Sequence, residues 1–398
     1  MHKLIRFNEL ALIIAIVIVF CFTATFDSNH SYLTKSTASI ADISRQCALL
    51  GILAIGSTIV IISGGIDLSA GSMVALGGTV CASLLLMLAS PAEMSGKAPL
   101  RVWVFAVATI GTLGVGFMVG TLHTWLITSV KLPPFIATLS TLVGLRSFAR
   151  ILCDYATKNF SEGRSASSNI YVSDTITTFI RTNIGISIIC WILLLVLTWV
   201  LLNLTVLGRH LYAVGGNEQA ARLSGIRTDR VKWFAYCFGS ITASIAGIFY
   251  LADVTVASPV TMAQGHELNA IAASVVGGCS LQGGVGTASG TLLGTIFLRL
   301  VVDGVAKLIK SNADVYEGLV VGFVVVLAVT FSQLRQRGAS TMRLFAGVQG
   351  YFAVLSLSLL LAFLTLFIKH NAILAASLGV VILVLLMTWK VVEDQRHR

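Results

Sequence analysis

The sequence predicts an all-α membrane protein, a polytopic transmembrane helical bundle. Three observations carry that prediction. Hydrophobic residues make up 56% of the 398 positions and charged residues only 11%, against roughly 25% charged in soluble domains. Mean hydropathy is +0.90. Apolar runs approaching the roughly 20 residues that a helix needs to cross a bilayer recur along the whole chain.

Taken in order, candidate helices fall at about 10–25, 48–63, 69–90, 102–127, 136–152, 184–204, 232–251, 268–278, 287–306, 316–331, 344–368 and 372–389. Lys3 and Arg6 precede the first run, so the N-terminus is expected on the cytoplasmic side. That run lacks a small-x-small cleavage site and reads as an uncleaved helix. Alternation then places the loop 205–231, the loop 332–343 and the C-terminal tail inside. Each carries a dense basic cluster, for example Arg209, Arg222, Arg227 and Arg230 in the first. Both termini are thus expected in the cytoplasm. The net charge of +10 follows from this positive-inside bias, and no nucleic-acid partner is implied. The segment 153–183 is polar and Ser-rich, long enough to touch an external partner.

The most informative stretch is Gly64-Gly65-Ile66-Asp67-Leu68-Ser69-Ala70-Gly71. It sets a carboxylate and a hydroxyl among glycines between two apolar runs. Irregular backbone at membrane depth is tolerated only inside protein or beside water, and an acid there marks a substrate or ion path. The competing reading is a tight cytoplasmic turn in which Asp67 caps the following helix, helped by Ser69. A faint repeat accompanies it: 64–78 (GGIDLSAGSMVALGG) and 277–291 (GGCSLQGGVGTASGT) agree at 6 of 15 positions. Paired Gly-interrupted segments point to binding sites in many transporters, though glycines also serve close helix packing.

In the loop 205–231, Asn217 is a good N-cap, Glu218 to Leu223 favour helix, and Gly225 can stop it. A helix of about two turns is expected there, with a plain surface turn as the alternative, because helices that short are marginal alone. Arg299 and Asp303 sit four apart on one expected helix and can face each other as an intramembrane ion pair. The pair is read either as structural or as a pore-lining or proton-relay element. Arg146 and Arg150 are read as snorkelling, and His123 as a helix-facing side chain satisfied by a neighbouring hydroxyl.

Several chemistries are excluded. No GxxxxGK[ST] phosphate loop, HExxH or GxSxG occurs. Seven cysteines show no CxxC pair and read as small core residues, so neither a metal nor a bound cofactor is expected. Enzymatic chemistry is not expected, and energy must come from a partner or an ion gradient.

Four ordered segments then carry a family likeness: GGIDLSAG; Leu132-Pro133-Pro134-Phe135-Ile136-Ala137-Thr138-Leu139; the loop Ala213 to Ile226; and Glu267 to Gly284. Together they resemble the ribose-type sugar ABC permeases over about residues 10–335. The resemblance implies about ten family-type spans in a bacterial inner-membrane subunit that works as a homodimer or with a paralogue. It implies a cytoplasmic ATPase with two fused nucleotide-binding halves, which binds the ATP, and a periplasmic or extracellular solute-binding protein. It makes Gly215, Gly216, Asn217, Glu218, Ala220, Ala221, Ser224 and Gly225 the ATPase-coupling loop. The sequence departs from the family pattern at His123-Thr124, where Asn-Gly is frequent, and at Ser140, His266 and Asn269, where Gly, Tyr and Asp are common.

A second departure is a C-terminal extension, residues 339–398, with two further apolar segments after a permease domain spanning 1–335. The function expected is import of a monosaccharide or similar small polar solute, with Asp67, Ser69, Asn269 and Ser280 along the path. A nucleoside, a branched-chain amino acid or a signalling furanose is the alternative cargo. An ion-coupled carrier built on Arg299 and Asp303, or a non-transporting scaffold, are the alternatives from other classes.

Overall fold

The computed structural model describes residues 2–161, 165–308, 347–369 and 372–396, with short pieces at 316, 318–324, 326–327 and 330. Two compact units result, Met1–Val329 and Thr330–Arg398. The expected boundary at 335–339 lies outside the described residues, as do five of the sixteen residues of the expected span at 316–331.

The first unit contains α1 (His2–Phe26), α2 (Ser31–Thr34), α3 (Ser36–Ile62), α4 (Ala70–Leu88), α5 (Pro91–Met94), α6 (Val102–Thr128) and α7 (Pro134–Phe160). It continues with β1 (Ile170–Tyr171), α8 (Thr175–Thr182), α9 (Ile184–Leu204), α10 (Val206–Gly216), α11 (Glu218–Leu223), α12 (Thr228–Val254), β2 (Val256–Ala257), α13 (His266–Val276) and α14 (Ala288–Leu308). Among the described residues, seven helices are long and apolar enough to cross a membrane: α1, α3, α4, α6, α7, α9 and α12. The all-α bundle expected from the sequence is borne out.

Burial divides these helices into centre and rim. The most apolar window of α3 is 89% buried and that of α1 only 11%. Helices α3, α4 and α12 form the centre, and α1, α6, α7 and α9 turn apolar side chains such as Met118, Val143 and Leu193 outward. Lipid tails are as apolar as leucine, so close packing rather than water exclusion must hold such helices together, and small residues allow it. Here α12 is the hub. A Cβ on Gly120 of α6 would fall 2.7 Å from Cys237 N, and one on Gly247 would fall 2.6 Å from Val74 O of α4.

One end of the bundle is closed by short elements. β1 and β2 pair antiparallel, Ile170 opposite Ala257 and Tyr171 opposite Val256. Ser90 and Glu93 form a capping box at α5, and Glu93 also holds Arg101 at 2.8 Å. The polar segment after 153, expected as a loop, is thus partly ordered: α7 runs on to Phe160, and α8 is capped by the Asp174 carboxylate. Likewise α3 begins at Ser36 rather than near 48, because Arg45 and Gln46 find partners on α12 and α14.

The second unit is described by itself. Helices α15 (Gly347–Lys369) and α16 (Ala372–Arg396) pack on each other, as the short connection at 369–371 predicts. Gly379 lies against Ala362, and the buried Lys390 ammonium sits 4.1 Å from the centre of the Tyr351 ring.

Candidate functional site

Helix α3 ends where its glycines begin. Gly64 takes φ +84, the left-handed region that only glycine enters freely, and the chain turns back into α4 at Ala70. Asp67 is 4% exposed and Ser69 fully buried. Asp67 Oδ1 accepts from the Ser69 backbone N–H at 2.8 Å and from its hydroxyl at 2.6 Å. Thr138, one turn into α7, accepts from Leu68 N at 3.2 Å and donates to Ile66 O at 3.1 Å. The turn therefore sits inside protein, with α7 stitched to its backbone.

His123 of α6 completes the cluster. Its Nε2 lies 2.7 Å from Thr141 Oγ1 and 3.3 Å from Ser69 Oγ. The Ser69 hydroxyl also donates to Asp67, and the Thr141 hydroxyl also reaches the carbonyls of Ala137 and Thr138 on α7. Nδ1 is buried without a partner among the described residues. The hydroxyl partner expected for this helix-facing histidine is present, and it belongs to Thr141.

The second half of the repeat lies beside the first. Ser274 of α13, Thr58 of α3 and Thr291 of α14 form a hydroxyl cluster, with oxygens 3.0 and 2.7 Å apart around Thr58. Ser280 is buried in the turn after α13, where its Oγ accepts from Gln282 N at 3.3 Å. Asn269 is half-buried on α13, and no hydrogen bond among the described residues ties its side chain to Asp67 or Ser69. Two groups were not singled out by the sequence. The Glu267 carboxylate packs directly on Gly71, in the space where a Cβ would stand, and its Oε2 has no hydrogen-bond partner among the described residues. Tyr212 Oη donates to Gly286 O at 2.8 Å.

The loop after α9 is more helical than expected. The Thr205 hydroxyl caps α10 by accepting from Gly208 N, and Asn217 caps α11 by accepting from Ala220 N at 3.0 Å. Gly225 has φ +84 just past the end of α11. The short helix read from Asn217 to Gly225 is present. The preceding helix escaped notice because Gly208, Gly215 and Gly216 lower its propensity. Glu218 bridges to Lys232 of α12 at 2.7 Å and to Arg222 at 3.4 Å. Partial burial raises the Glu218 carboxyl, but the Lys232 ammonium outweighs it and holds the group below the usual carboxylate range. Leu223, 90% exposed, projects from α11.

The family model for the branched-chain amino acid transport system permease component matches residues 39–329. The chain belongs to that permease family. Among curated relatives, it is similar to the ribose import permease protein RbsC of Escherichia coli, 32% identical over 327 residues that cover 81% of this chain and 93% of that protein. It is also similar to RbsC of Bacillus subtilis, 34% identical over 329 residues, covering 83% and 92%. The autoinducer 2 import system permease protein LsrC of Photorhabdus luminescens is 34% identical over 339 residues, covering 83% and 92%. No solved structure matches. The likeness to ribose-type permeases that the four segments carry is thereby borne out.

Two charged expectations look different in this permease. Asp303 is held by Lys307, at 2.7 and 2.8 Å, and accepts from the Tyr32 hydroxyl at 2.5 Å; Arg299 donates to Gln46 at 2.7 Å. Asp303 is thus tied to α2 and to the next turn of α14, and Arg299 to α3. Arg146 does not snorkel. Its Nη1 donates to the carbonyls of Pro259, Val260 and Met262 at 3.0, 3.0 and 3.1 Å, pinning the segment before α13 onto α7.

Proposed function

We propose that this chain is the membrane-spanning permease subunit of an ATP-driven importer for a monosaccharide or similarly small polar solute. It works in the bacterial cytoplasmic membrane with both termini inside. The similarity to ribose import permeases over almost their whole length carries this reading. The site chemistry supports it. A neutral sugar needs donors and acceptors rather than a strong field, and the region around the broken turn offers hydroxyls, one amide and the Asp67 carboxylate tied up in local bonds. Asp67, Ser69, Asn269 and Ser280 are proposed as polar groups along or beside the path.

A separate ATPase with two fused nucleotide-binding halves would drive the cycle, docking on Gly215 to Gly225. An external solute-binding protein would deliver the cargo, and a second permease copy or a paralogue would complete the channel. ATP can shift the permease between inward and outward states only by binding its partner differently in the two. The similarity to LsrC favours a signalling furanose as the second cargo reading.

The test is purification from the native membrane in mild detergent, with mass spectrometry of what stays bound, beside a G216R/A220R variant. A fused ATPase with the parent and none with the variant supports both subunit and docking site. The ATPase on both leaves the permease and removes the docking site, and its absence from both overturns the reading. Uptake of labelled ribose, set against uptake of the furanose signal, then separates the cargoes.

A further inference from the structure

Glycines from three distant parts of the sequence, Gly64, Gly215-Gly216 and Gly283-Gly284, meet at one point. Gly215 of α10 lies so close to the end of α3 that a Cβ on it would collide with Ile62 O, and it would stand 2.6 Å from Gly284 N. A Cβ on Gly283 would fall 2.6 Å from Gly215 O and 2.8 Å from Gly64 Cα, and one on Gly284 would fall 2.8 Å from Gly216 Cα. Gly284 N donates to Ile62 O at 2.9 Å, satisfying a carbonyl that the end of α3 would otherwise leave open. Tyr212 Oη, one turn before Gly215, fixes Gly286 O of the same turn.

We propose that this contact is the joint through which movement of the coupling loop reaches the Asp67 turn. The proposal rests on the permease reading and adds where the force enters. Its basis is the absence of side chains at the meeting point. Packed side chains can hop between rotamers and absorb a small displacement, whereas backbone in van der Waals contact with backbone cannot. A shift of α10 therefore acts on Ile62 and Gly64 directly. Three residues further on is Asp67, whose partner Ser69 touches His123 of α6, while Thr138 of α7 holds the same turn. The joint also grips the 280–286 turn between α13 and α14. One displacement thus reaches both halves of the repeat together.

The experiment uses the complex purified with its own ATPase, in nanodiscs. L68C places a reporter on the turn. Its labelling by N-ethylmaleimide, read at that residue by peptide mass spectrometry, is compared between nucleotide-free and ADP–vanadate-trapped complex. The parent is expected to change its labelling rate threefold or more. G283A is expected to retain the ATPase and its basal hydrolysis but lose most of that change. Gly283 lies outside the docking loop, so a docking defect alone would not give this result. G185A, with open space around its Cβ, is expected to match the parent. Y212F, which removes one hydroxyl and leaves the backbone intact, is expected to halve the change even if a glycine variant misfolds. A parent that keeps its ATPase but shows no nucleotide-dependent labelling overturns the joint. So does a full response in G283A or in Y212F. Absence of any ATPase from the parent overturns the permease reading itself.

Discussion

Ser69 supplies both donors that hold the Asp67 carboxylate, its backbone N–H at 2.8 Å and its hydroxyl at 2.6 Å from the same oxygen. Asp67 does not cap α4, whose N-cap Ser69 makes no side-chain cap bond; it closes the buried turn just before that helix, beside α6 and α7. S69A should leave Asp67 with one of these two donors and His123 with one hydroxyl neighbour, Thr141. A stability loss of about 1–3 kcal/mol is expected, with S69T losing less. Thermal unfolding of the detergent-purified protein measures it, and an unchanged midpoint for S69A would show that the hydroxyl is dispensable.

The Asn217 cap should matter locally. N217A removes the acceptor for Ala220 N and is expected to cost α11 about 1 kcal/mol, with N217S or N217D close to parent. Faster hydrogen exchange over 218–224 is the direct readout, and weaker ATPase retention the functional one. Equal exchange in parent and N217A would mean that tertiary contacts, not the cap, hold α11.

Glu218 gives that loop a pH dependence of known sign. Its carboxyl is lowered in the folded protein, so its contribution is fully present above the ordinary glutamate value of about 4.3. The contribution fades as pH falls through the lowered value. Exposure of the pair limits its worth to under about 1 kcal/mol. Exchange over 218–224 should accelerate below roughly pH 4 in the parent and not in E218Q. The same acceleration in E218Q would assign the effect to other groups.

Gly71 is expected to tolerate no side chain while Glu267 is present. G71A pushes a methyl into the volume of the carboxylate and should cost about 1–3 kcal/mol. E267A empties that volume while Ala263 O still stands 2.8 Å from the added methyl, so the double variant should recover part of the loss. Additive losses in that cycle would show that the two residues do not share the space.

Much of the bundle was legible because hydropathy reports long spans directly: each long apolar helix overlaps an expected run, though α3 and α7 extend well beyond theirs. The Asn217–Gly225 helix was legible because cap and stop are local chemistry. What escaped was set by partners distant in sequence. Nothing near Gly71 announces Glu267, and nothing in the loop after α9 announces that Gly215 abuts Ile62. The internal repeat aligned Gly64-Gly65 with Gly277-Gly278, whereas Gly277 packs on Gly290 and it is Gly283 that meets Gly64. Spacing alone could not choose between the glycine pairs. Charge spacing likewise suggested Arg299 for Asp303 and did not single out Lys307, whose ammonium lies 2.7 Å from that carboxylate.

Arg146 shows how far a sequence expectation can differ in consequence. A snorkelling arginine could be replaced by lysine at little cost. Here one guanidinium nitrogen serves three carbonyls of the 259–262 segment, in which the Met262 side chain packs over Gly78 of α4. Lysine carries three donors on a single flexible point and lacks the planar fork that fixes them. R146K should therefore keep the fold and lose part of the order of 258–265, while R146L leaves carbonyls without a donor at about 1–3 kcal/mol each where they stay buried. Because that segment leads directly into His266, Glu267 and Asn269, uptake should fall further than stability in R146K. Hydrogen exchange over 258–268, paired with uptake in whole cells, separates the two effects; parent-like exchange and uptake in R146K would restore the snorkelling reading.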